Sequence, residues 1–473
     1  MKKHNGWSYA PYKPVFVGIG DIYITRLVPS SASIYFEWLP MAENAEYDIF
    51  CRVRTEGEFE KTGSTKETSF TIENLEAGLD YEFYVASQSK KSLVRLARTG
   101  DAVGTIVNYL HPDDKAYSFS GQYLCSPSMV RHPEGHLLSS MDLFDYDARQ
   151  CLTLIFRSDD DGKSWHYVCE LYPCFWGKMF IHRGEVYMLS CSTEYGDLLI
   201  GKSTDGGTTW TEPSVLLRGC PSPKYTSGVH KNPQPVVEFG GRLWATLEWA
   251  FAPSGVHAPM VMSAPVDSDL TNADSWSYSE PIDYDPAWEG VAKGKTDGNI
   301  EGNLTVIDGK LFNIMRYGIG PANTPQYGLI MAFEVDTENP EAPLKFSRVI
   351  KFPGNRSKFT IKYDEISKKY FSFATRITQP EISARNLLTL MVSDNAIDWC
   401  VLKDIYDYRH LDAQAAGFQY VDFEFEGDDI IFICRTALNN PHGFHDSNYQ
   451  TFDRVKNFRK LVRDAGRLEI FDI

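Results

Sequence analysis

The sequence lacks the long apolar segments and the excess of positive charge that mark membrane and nucleic-acid-binding proteins. No stretch of its 473 residues approaches the roughly 18–20 apolar residues of a membrane span. Lys and Arg number 47 against 63 Asp and Glu, a formal net charge of −16, whereas phosphate binding needs a basic face. We therefore expect neither a membrane nor a nucleic acid as a partner.

Cysteine is used sparingly and without a metal-binding pattern. The nine cysteines are an odd number, and none stands in a C-x-x-C pair. Several lie in apolar runs, such as Cys434 at the end of 430–434, which predicts buried reduced thiols and a reducing compartment. No apolar segment follows the basic start, so we expect a cytoplasmic protein, with a removed leader and secretion left open.

Motifs for phosphate binding, zinc binding and serine nucleophiles are also missing. The sequence contains no G-x-x-x-x-G-K-[ST] and no G-x-S-x-G. We expect no cofactor and no catalytic metal.

Helical periodicity is scarce, whereas short alternating runs are frequent. Examples are residues 33–38, 185–189 and 310–315, and such runs are ended by Gly, Pro, Asn or Asp. This spacing predicts an all-β chain of sandwich or propeller type. The length suits more than one domain.

The first predicted unit carries a short aromatic motif. Leu75, Gly78, Tyr81 and Phe83 form the pattern L-x-x-G-x-x-Y-x-F, and Trp38 lies upstream. The pattern resembles the tyrosine corner of fibronectin type III domains. The resemblance implies a small β-sandwich over residues 20–104, serving as a spacer or docking module, after an N-terminal segment 1–19.

The remainder contains a repeated motif. Residues 158–165 and 203–210 both match S-x-D-x-G-x-x-W, about one propeller blade apart, and 393–399 is a shortened copy. The motif resembles the Asp-box of sialidase-like propellers, in which it shapes a turn between outer strands. The resemblance implies a sialidase-like β-propeller over residues 115–473. Its length suits six blades, with five or seven left open, around a pocket at one end.

The resemblance to sialidases also implies a catalytic set. Sialidases use a Tyr nucleophile assisted by Glu, an Asp acid/base and three Arg that clamp the substrate carboxylate. Residues 301–316 resemble the strand pair that runs from the assisting Glu, here Glu301, to the second clamp Arg, here Arg316. Residues 417–423 resemble the nucleophile strand, with Tyr420 as the nucleophile. Arg385 stands where the third clamp Arg is expected.

The acid and the first clamp Arg are less well matched. Residues 141–147 stand where sialidases hold an acidic loop, which favours Asp142 as the acid and Asp145 as the second choice. No Arg begins the strand at 125–131, where the first clamp Arg is expected, and the Glu that orients it is replaced around 433–435. A different acidic sugar, or a neutral one, therefore stays open as the substrate.

Further polar and aromatic residues stand at predicted strand starts near the pocket. We expect them to contact the ligand: Trp176, His230, Glu248 and Lys358. His230 is also a candidate general base, because the pKa of imidazole lies near neutrality.

Three functions remain in competition. The first is an exo-acting glycoside hydrolase of sialidase type, similar to a broad group of bacterial sialidase-like proteins, which releases a terminal, acidic sugar from a glycan with retention. The second is a polysaccharide lyase acting on a uronic acid, with His230, Lys358 and Tyr420 at its centre. The third is a carbohydrate-binding propeller without catalysis. A glycan is the expected partner in all three, and the oligomeric state is left open.

Overall fold

A computed structural model describes residues 6–7, 20–219, 228–250, 257–291, 299–317, 328–354, 357–378 and 384–472. Of the predicted N-terminal segment 1–19, only Gly6 and Trp7 belong to the described residues. The Trp7 side chain is buried, and its ring meets that of Trp210 edge-on at 5.9 Å between centroids. Within these ranges, no helix has the length and apolar character needed to cross a membrane.

The first part of the chain forms a small β-sandwich of two antiparallel sheets. Strand β1 pairs with β2 and β2 with β5, while β3, β4, β6, β7 and β8 form the second sheet. The hydroxyl of Tyr81 accepts a hydrogen bond from the Glu76 backbone N–H at 2.9 Å. The strands are β1 (Ile24–Pro29), β2 (Ile34–Trp38), β3 (Tyr47–Val53), β4 (Glu60–Thr65), β5 (Ser69–Ile72), β6 (Asp80–Ser87), β7 (Lys90–Lys91) and β8 (Arg95–Arg98).

The chain then forms a six-bladed β-propeller, and each blade is an antiparallel sheet in the described residues. Blade 1 comprises β10 (Tyr123–Leu124), β11 (Ser128–Arg131), β12 (Leu137–Phe144), β13 (Thr153–Ser158) and β14 (His166–Leu171). Blade 2 comprises β15 (Phe175–His182), β16 (Glu185–Cys191), β17 (Leu198–Ser203) and β18 (Ser214–Leu217). Blade 3 comprises β19 (Val229–His230), β20 (Val237–Phe239), β21 (Arg242–Trp249), β22 (Ala258–Pro265) and β23 (Ser277–Tyr278).

The other three blades have four strands each in the described residues. Blade 4 comprises β24 (Asn299–Ile307), β25 (Lys310–Tyr317), β26 (Leu329–Glu334) and β27 (Lys345–Lys351). Blade 5 comprises β28 (Thr360–Asp364), β29 (Lys369–Thr375), β30 (Leu387–Ser393) and β31 (Trp399–Asp407). Blade 6 comprises β32 (Gly417–Glu426), β33 (Asp429–Ala437), β34 (Tyr449–Val455) and β9 (Thr105–Tyr109). One short helix, α1 (Phe458–Ala465), follows β34.

Blade 6 is completed by a strand from the other end of the propeller sequence. Strand β9, which lies between the two predicted units, pairs with β34 and becomes the outer strand of this blade. The predicted propeller range of 115–473 does not include β9. This pairing closes the ring, because strands from both ends of the propeller sequence then lie in one blade.

The two S-x-D-x-G-x-x-W copies form the same turn. The hydroxyls of Ser158 and Ser203 each accept the backbone N–H four residues on, at 2.8 and 2.9 Å. The indole N–H of Trp165 and of Trp210 donates to the carbonyl three residues back, at 3.2 and 3.0 Å. These local bonds satisfy the polar groups of each turn, so that both Trp rings can lie buried between blades.

The cysteines in the described residues are free thiols, and all but one are buried. Burial raises the pKa of Cys125 and Cys151 to about 11, which keeps these thiols protonated and weakly nucleophilic. Cys220 lies outside the described residues. The buried thiols are therefore packing residues of the sandwich and of the blades.

Candidate active site

Three inner strands carry the same irregularity near their first residues. In β15, β24 and β32 the register with the neighbouring strand shifts at Trp176, Glu301 and Tyr420. These three residues have positive φ angles of 51°, 60° and 56°. A non-glycine residue in this conformation costs about 1–2 kcal/mol, and such strain clusters at functional sites. Each bulge re-aims one side chain at the same end of the propeller.

The bulges of blades 4 and 6 bring Tyr420 and Glu301 together. The Tyr420 hydroxyl donates to Glu301 Oε1, and Arg316 Nη1 donates to Glu301 Oε2 at 3.0 Å. Burial raises the pKa of the Tyr420 phenol, and the Glu301 charge raises it further. Burial opposes ionisation of Glu301, but Arg316 and the Tyr420 hydroxyl outweigh it and lower its pKa. A neutral phenol therefore meets an ionised carboxylate that can accept its proton.

Arg435 is a site residue that the sequence analysis did not select. Its guanidinium lies 5.0 Å from the centroid of the Tyr420 ring and is 1% exposed. Its Nε donates to Ser447 Oγ at 3.0 Å, and its Nη1 contacts Cys125 Sγ at 3.2 Å. A guanidinium thus occupies the strand where the orienting Glu was expected, opposite the strand that lacks its Arg. A lone Arg inside the apolar strand β33 was the available signal.

Arg385 lies beside Tyr420, just before strand β30. Its Nη1 donates to Gln419 Oε1, and its guanidinium lies 5.5 Å from the Phe444 ring centroid. Burial lowers the pKa of Arg385 to about 10, and the Tyr420 phenol partly offsets this shift. Three guanidinium groups therefore surround one phenol: Arg316, Arg385 and Arg435.

The sequence analysis placed Asp142 on a loop, whereas the structure places it inside strand β12. The cause is that the strand runs on to Phe144, pairing Asp142 with Thr153. The Asp142 side chain is 0% exposed, and its Oδ2 accepts the Trp176 backbone N–H at 2.9 Å. Burial raises its pKa to about 7. Asp142 supports the Trp176 bulge and has no surface for a substrate.

Asp145 lies in the turn that follows β12, partly exposed. Its Oδ2 accepts Gln122 Nε2 and its Oδ1 accepts the Asp147 backbone N–H, both at 3.1 Å. These bonds stabilise the turn. Asp145 lies at the edge of the first blade, and its role as the second choice for the acid stays a prediction.

His230 and Glu248 form a buried pair on adjacent strands of blade 3. His230 Nδ1 lies 2.6 Å from Glu248 Oε2, because the two residues are direct partners in the β19–β21 register. Glu248 Oε1 accepts the Gly302 backbone N–H at 3.2 Å, next to Glu301. The ring of His230 meets the Trp176 indole at 4.4 Å between centroids. Three predicted contact residues are therefore brought into one cluster beside the Tyr420–Glu301 pair.

Lysines lie beneath this site. Lys178 pairs with Asp422, and Lys358 Nζ donates to Thr360 Oγ1 at 3.0 Å and to the Val421 carbonyl at 3.2 Å. Lys358 is 1% exposed, so the expectation that it contacts the ligand is corrected: it is buried beneath the site and bonded to protein. Burial lowers the pKa of Lys231 and Lys358 to about 8. Despite the net negative charge of the chain, the site has many cations around it.

One group of potential metal ligands occurs in the described ranges, away from this site: His132, Glu134 and His136. The two imidazole rings stack at 4.4 Å with an interplanar angle of 19°, and His136 Nε2 lies 3.3 Å from the Gly206 carbonyl. Stacked parallel rings aim their nitrogen lone pairs side by side, whereas coordination needs lone pairs that converge. This turn is not arranged to hold an ion.

Comparison with known proteins identifies the architecture. No protein-family model matches the sequence, and no curated protein matches it. A Trypanosoma rangeli sialidase in complex with sialic acid superposes with a TM-score of 0.52 at 13% identity, over 76% of this chain and 59% of that one. This protein has the fold of the sialidase-like β-propellers. An α-L-arabinanase of Penicillium chrysogenum complexed with arabinobiose superposes with a TM-score of 0.50 at 13% identity, over 76% of this chain and 99% of that one. At this identity the likeness concerns the fold.

Proposed function

We propose that the protein is a retaining exo-glycosidase that releases a terminal acidic sugar from a glycan. The observation that carries this proposal is the Tyr420 hydroxyl bonded to Glu301, within a group of three guanidiniums. The two solved structures with the same fold are described as a sialidase and an arabinanase, which adds support for glycoside hydrolysis.

In the first step, the phenolic oxygen of Tyr420 attacks the anomeric carbon as its proton passes to Glu301 Oε1. The pKa of Tyr420 is raised by burial and by Glu301, so the phenol does not ionise in advance and its proton moves during attack. The glycosidic C–O bond breaks, and the leaving alcohol takes a proton from an acid. Two displacements at one carbon give net retention.

In the second step, water attacks the anomeric carbon of the tyrosyl glycoside. The phenolate leaves and recovers its proton from Glu301, while a base takes the proton of water. Throughout both steps the anionic group of the sugar is held by Arg316 and Arg385, while Arg435, buried beside the Tyr420 ring, adds positive charge. Guanidiniums suit this task because their planar fork can bind a carboxylate through two parallel hydrogen bonds.

The test is incubation of the full chain with a panel of 4-methylumbelliferyl glycosides and natural glycans, analysed by mass spectrometry. The panel includes α-N-acetylneuraminide, β-glucuronide, α-galacturonide and, as a neutral member, α-L-arabinofuranoside. We expect release of a hydrolysed acidic monosaccharide and loss of this activity in Tyr420→Phe. An unsaturated sugar product would instead indicate a lyase, and unchanged turnover by Tyr420→Phe would refute the nucleophile.

A matched control variant is available in the same fold. Tyr406 is a partly buried tyrosine whose hydroxyl donates to Asp453 Oδ2 at 2.5 Å, and not to Glu301. Tyr406→Phe removes the same atom as Tyr420→Phe, and we expect it to retain turnover. Glycan binding without any product in the wild type would favour the carbohydrate-binding alternative.

A further inference from the structure

The proposed reaction needs a proton donor for the leaving group, and the Asp142 carboxyl cannot reach the leaving group in this structure. Its side chain is 0% exposed, and its Oδ2 is used by the Trp176 backbone N–H. A donor must lie within hydrogen-bond reach of the glycosidic oxygen, on the opposite side of the anomeric carbon from the nucleophile. A different residue at the same end of the propeller has to meet this requirement.

His230 has the geometry of a donor that is held by a second residue. Glu248 Oε2 fixes its Nδ1 at 2.6 Å, and Glu248 is itself anchored by the Gly302 backbone N–H at 3.2 Å. Because Gly302 follows Glu301, one bulge positions both the Glu–His pair and the residue that assists Tyr420. The hydrogen bond of the His230 ring within the described residues is made by Nδ1, which leaves Nε2 as the atom that can face a ligand.

The surroundings of His230 favour its protonated form. Burial acts against the charge, but Glu248 on β21, Glu301 on β24 and Glu194 between β16 and β17 outweigh burial and raise the pKa. The rings packed against it are those of Trp176, Tyr195 and His257, with centroids 4.4, 6.1 and 4.7 Å away. Its chain neighbour Lys231 donates to the Asn232 carbonyl at 3.0 Å.

Space for a leaving group adjoins Tyr195, whose ring lies 6.1 Å from that of His230 between centroids. A cavity of about 540 Å³ lies between the loops of blades 1 and 2, and Tyr195 contributes both to its wall and to the ring contact with His230. Other wall residues offer an exposed aromatic face and polar groups suited to a sugar: Tyr146, Arg149, Gln150 and Glu194. This cavity can therefore bind the sugar or alcohol that leaves when Tyr420 attacks the anomeric carbon.

We propose that His230, oriented by Glu248, is the acid/base of this site. This inference rests on the proposed glycosidase function. As the glycosidic C–O bond breaks, the Nε2 proton passes to the leaving oxygen, and the imidazole becomes neutral. In the second step Nε2 takes a proton from the attacking water and returns to its starting state. Asp142 acts indirectly, by holding the Trp176 bulge against which the imidazole packs.

The test compares two leaving groups on the same sugar, using the 4-methylumbelliferyl glycoside and the natural glycan that the panel identifies. In His230→Gln we expect kcat/KM for the glycan, which reports the steps up to release of the leaving group, to fall by about 10²–10⁴-fold, the usual contribution of general acid catalysis. The kcat/KM of the aryl glycoside, whose leaving group needs little protonation, should fall by less than about tenfold. An unchanged kcat/KM for the glycan, or an equal loss on both substrates, would overturn the assignment.

Asp142→Asn is the matched control, because it neutralises the rival carboxyl and keeps an oxygen for the Trp176 N–H. We expect it to affect both substrates alike; a loss confined to the glycan would identify Asp142 as the donor and overturn the inference. Tyr420→Phe should be inactive on both substrates. If it stays active, or if the wild type is inert on the whole panel, the proposed function itself fails. An inactive Tyr420→Phe with a fully active His230→Gln refutes only the role of His230.

Glu248→Gln tests the orienting role and keeps the inference testable if His230→Gln does not fold. Glu248 raises the pKa of His230, so the wild-type rate should fall at alkaline pH as the imidazole loses its proton. With Gln at 248, we expect this fall in kcat/KM to move to lower pH, with the aryl and natural substrates compared in parallel. A profile that keeps its alkaline limb in place would contradict the orienting role.

Discussion

The buried carboxyl of Asp142 makes a prediction at the scale of a single residue. Burial raises its pKa to about 7, above the value of an exposed Asp, so the unfolded chain loses this proton first as pH rises. Stability is therefore lost between about pH 4 and pH 7. Asp142→Asn removes this pH-dependent loss. The unfolding free energy of the variant minus that of the wild type should therefore increase by about 2 kcal/mol from pH 5 to pH 8. Urea unfolding at both values measures it; parallel pH dependences of the two proteins would mean that Asp142 titrates alike in the folded and unfolded chain.

The guanidinium of Arg385 makes a second prediction at this scale. Arg385→Lys keeps a positive charge but loses the planar fork that suits a carboxylate. If the substrate is acidic, we expect KM to rise about tenfold, since a charged hydrogen bond contributes about 1.5–3 kcal/mol, with a smaller change in kcat. Arg376→Lys is the control, because the Arg376 guanidinium is paired with Asp404 at 2.7 Å. Equal effects of the two variants on KM would argue against anion binding by Arg385.

Single residues also show where sequence reasoning reached its limit. The resemblance predicted one site for Tyr420, Glu301 and Arg316, and these three side chains lie in contact, while their roles stay predictions. It placed Asp142 on a loop, since a polar residue near Asp145 and Asp147 looks solvated, whereas β12 continues through it. It passed over Arg435 because the family pattern has a carboxylate there. A substitution such as Arg435 in place of a carboxylate is understood from the residues around it in space, and one sequence does not show these neighbours.

At the scale of the element, the two turns with a Ser, an Asp, a Gly and a Trp allow a test of independent contributions. The hydroxyl of Ser158 or Ser203 accepts one buried N–H and donates to the Asp two residues on. Removing either hydroxyl should cost about 1 kcal/mol of unfolding free energy. The two turns share no hydrogen-bond partner, so the costs in the double Ala variant should add within about 0.5 kcal/mol. Chemical denaturation of the three variants measures this; strong non-additivity would mean that the turns are coupled.

The blades were predictable and the bulges were not. Alternating runs mark strands because a strand places successive side chains on opposite faces, and this pattern is local. The shifts at Trp176, Glu301 and Tyr420 instead put large residues at positive φ, against their local preference. Such conformations persist only because neighbouring strands enforce them. The sequence therefore predicts where these side chains lie along the chain and not how they are aimed.

At the scale of the whole molecule, the sandwich is joined to the propeller by buried polar contacts. Arg26 Nε donates to the Val107 carbonyl at 2.6 Å, on the strand that closes blade 6. One apolar cluster continues from Phe36 and Phe83 of the sandwich to Phe373 and Phe432 of blades 5 and 6. The division into units at 20–104 and 115–473 remains a prediction, and this continuity suggests that the two units unfold together.

Arg95 and Asp114 provide the test of this cooperativity. Arg95 Nε lies 2.7 Å from Asp114 Oδ2, both side chains are almost fully buried, and Arg95 Nη1 donates to the Ile24 carbonyl at 2.9 Å. Arg95→Met leaves the Asp114 charge buried without its partner, which should cost about 3–5 kcal/mol. We expect one calorimetric transition in the wild type, and in the variant an earlier transition, separate from the main one, in which the sandwich detaches.

The control for this variant is Arg52→Met, which removes a partly exposed partner of Glu82 within the sandwich. A partly exposed pair contributes at most about 1 kcal/mol, so this variant should keep the single transition. Two transitions already present in the wild type would mean that the sandwich unfolds on its own and that the shared cluster adds little coupling. A single transition in all three proteins would place the coupling in the apolar cluster, because the loss of the buried ion pair would then lower stability without separating the two parts.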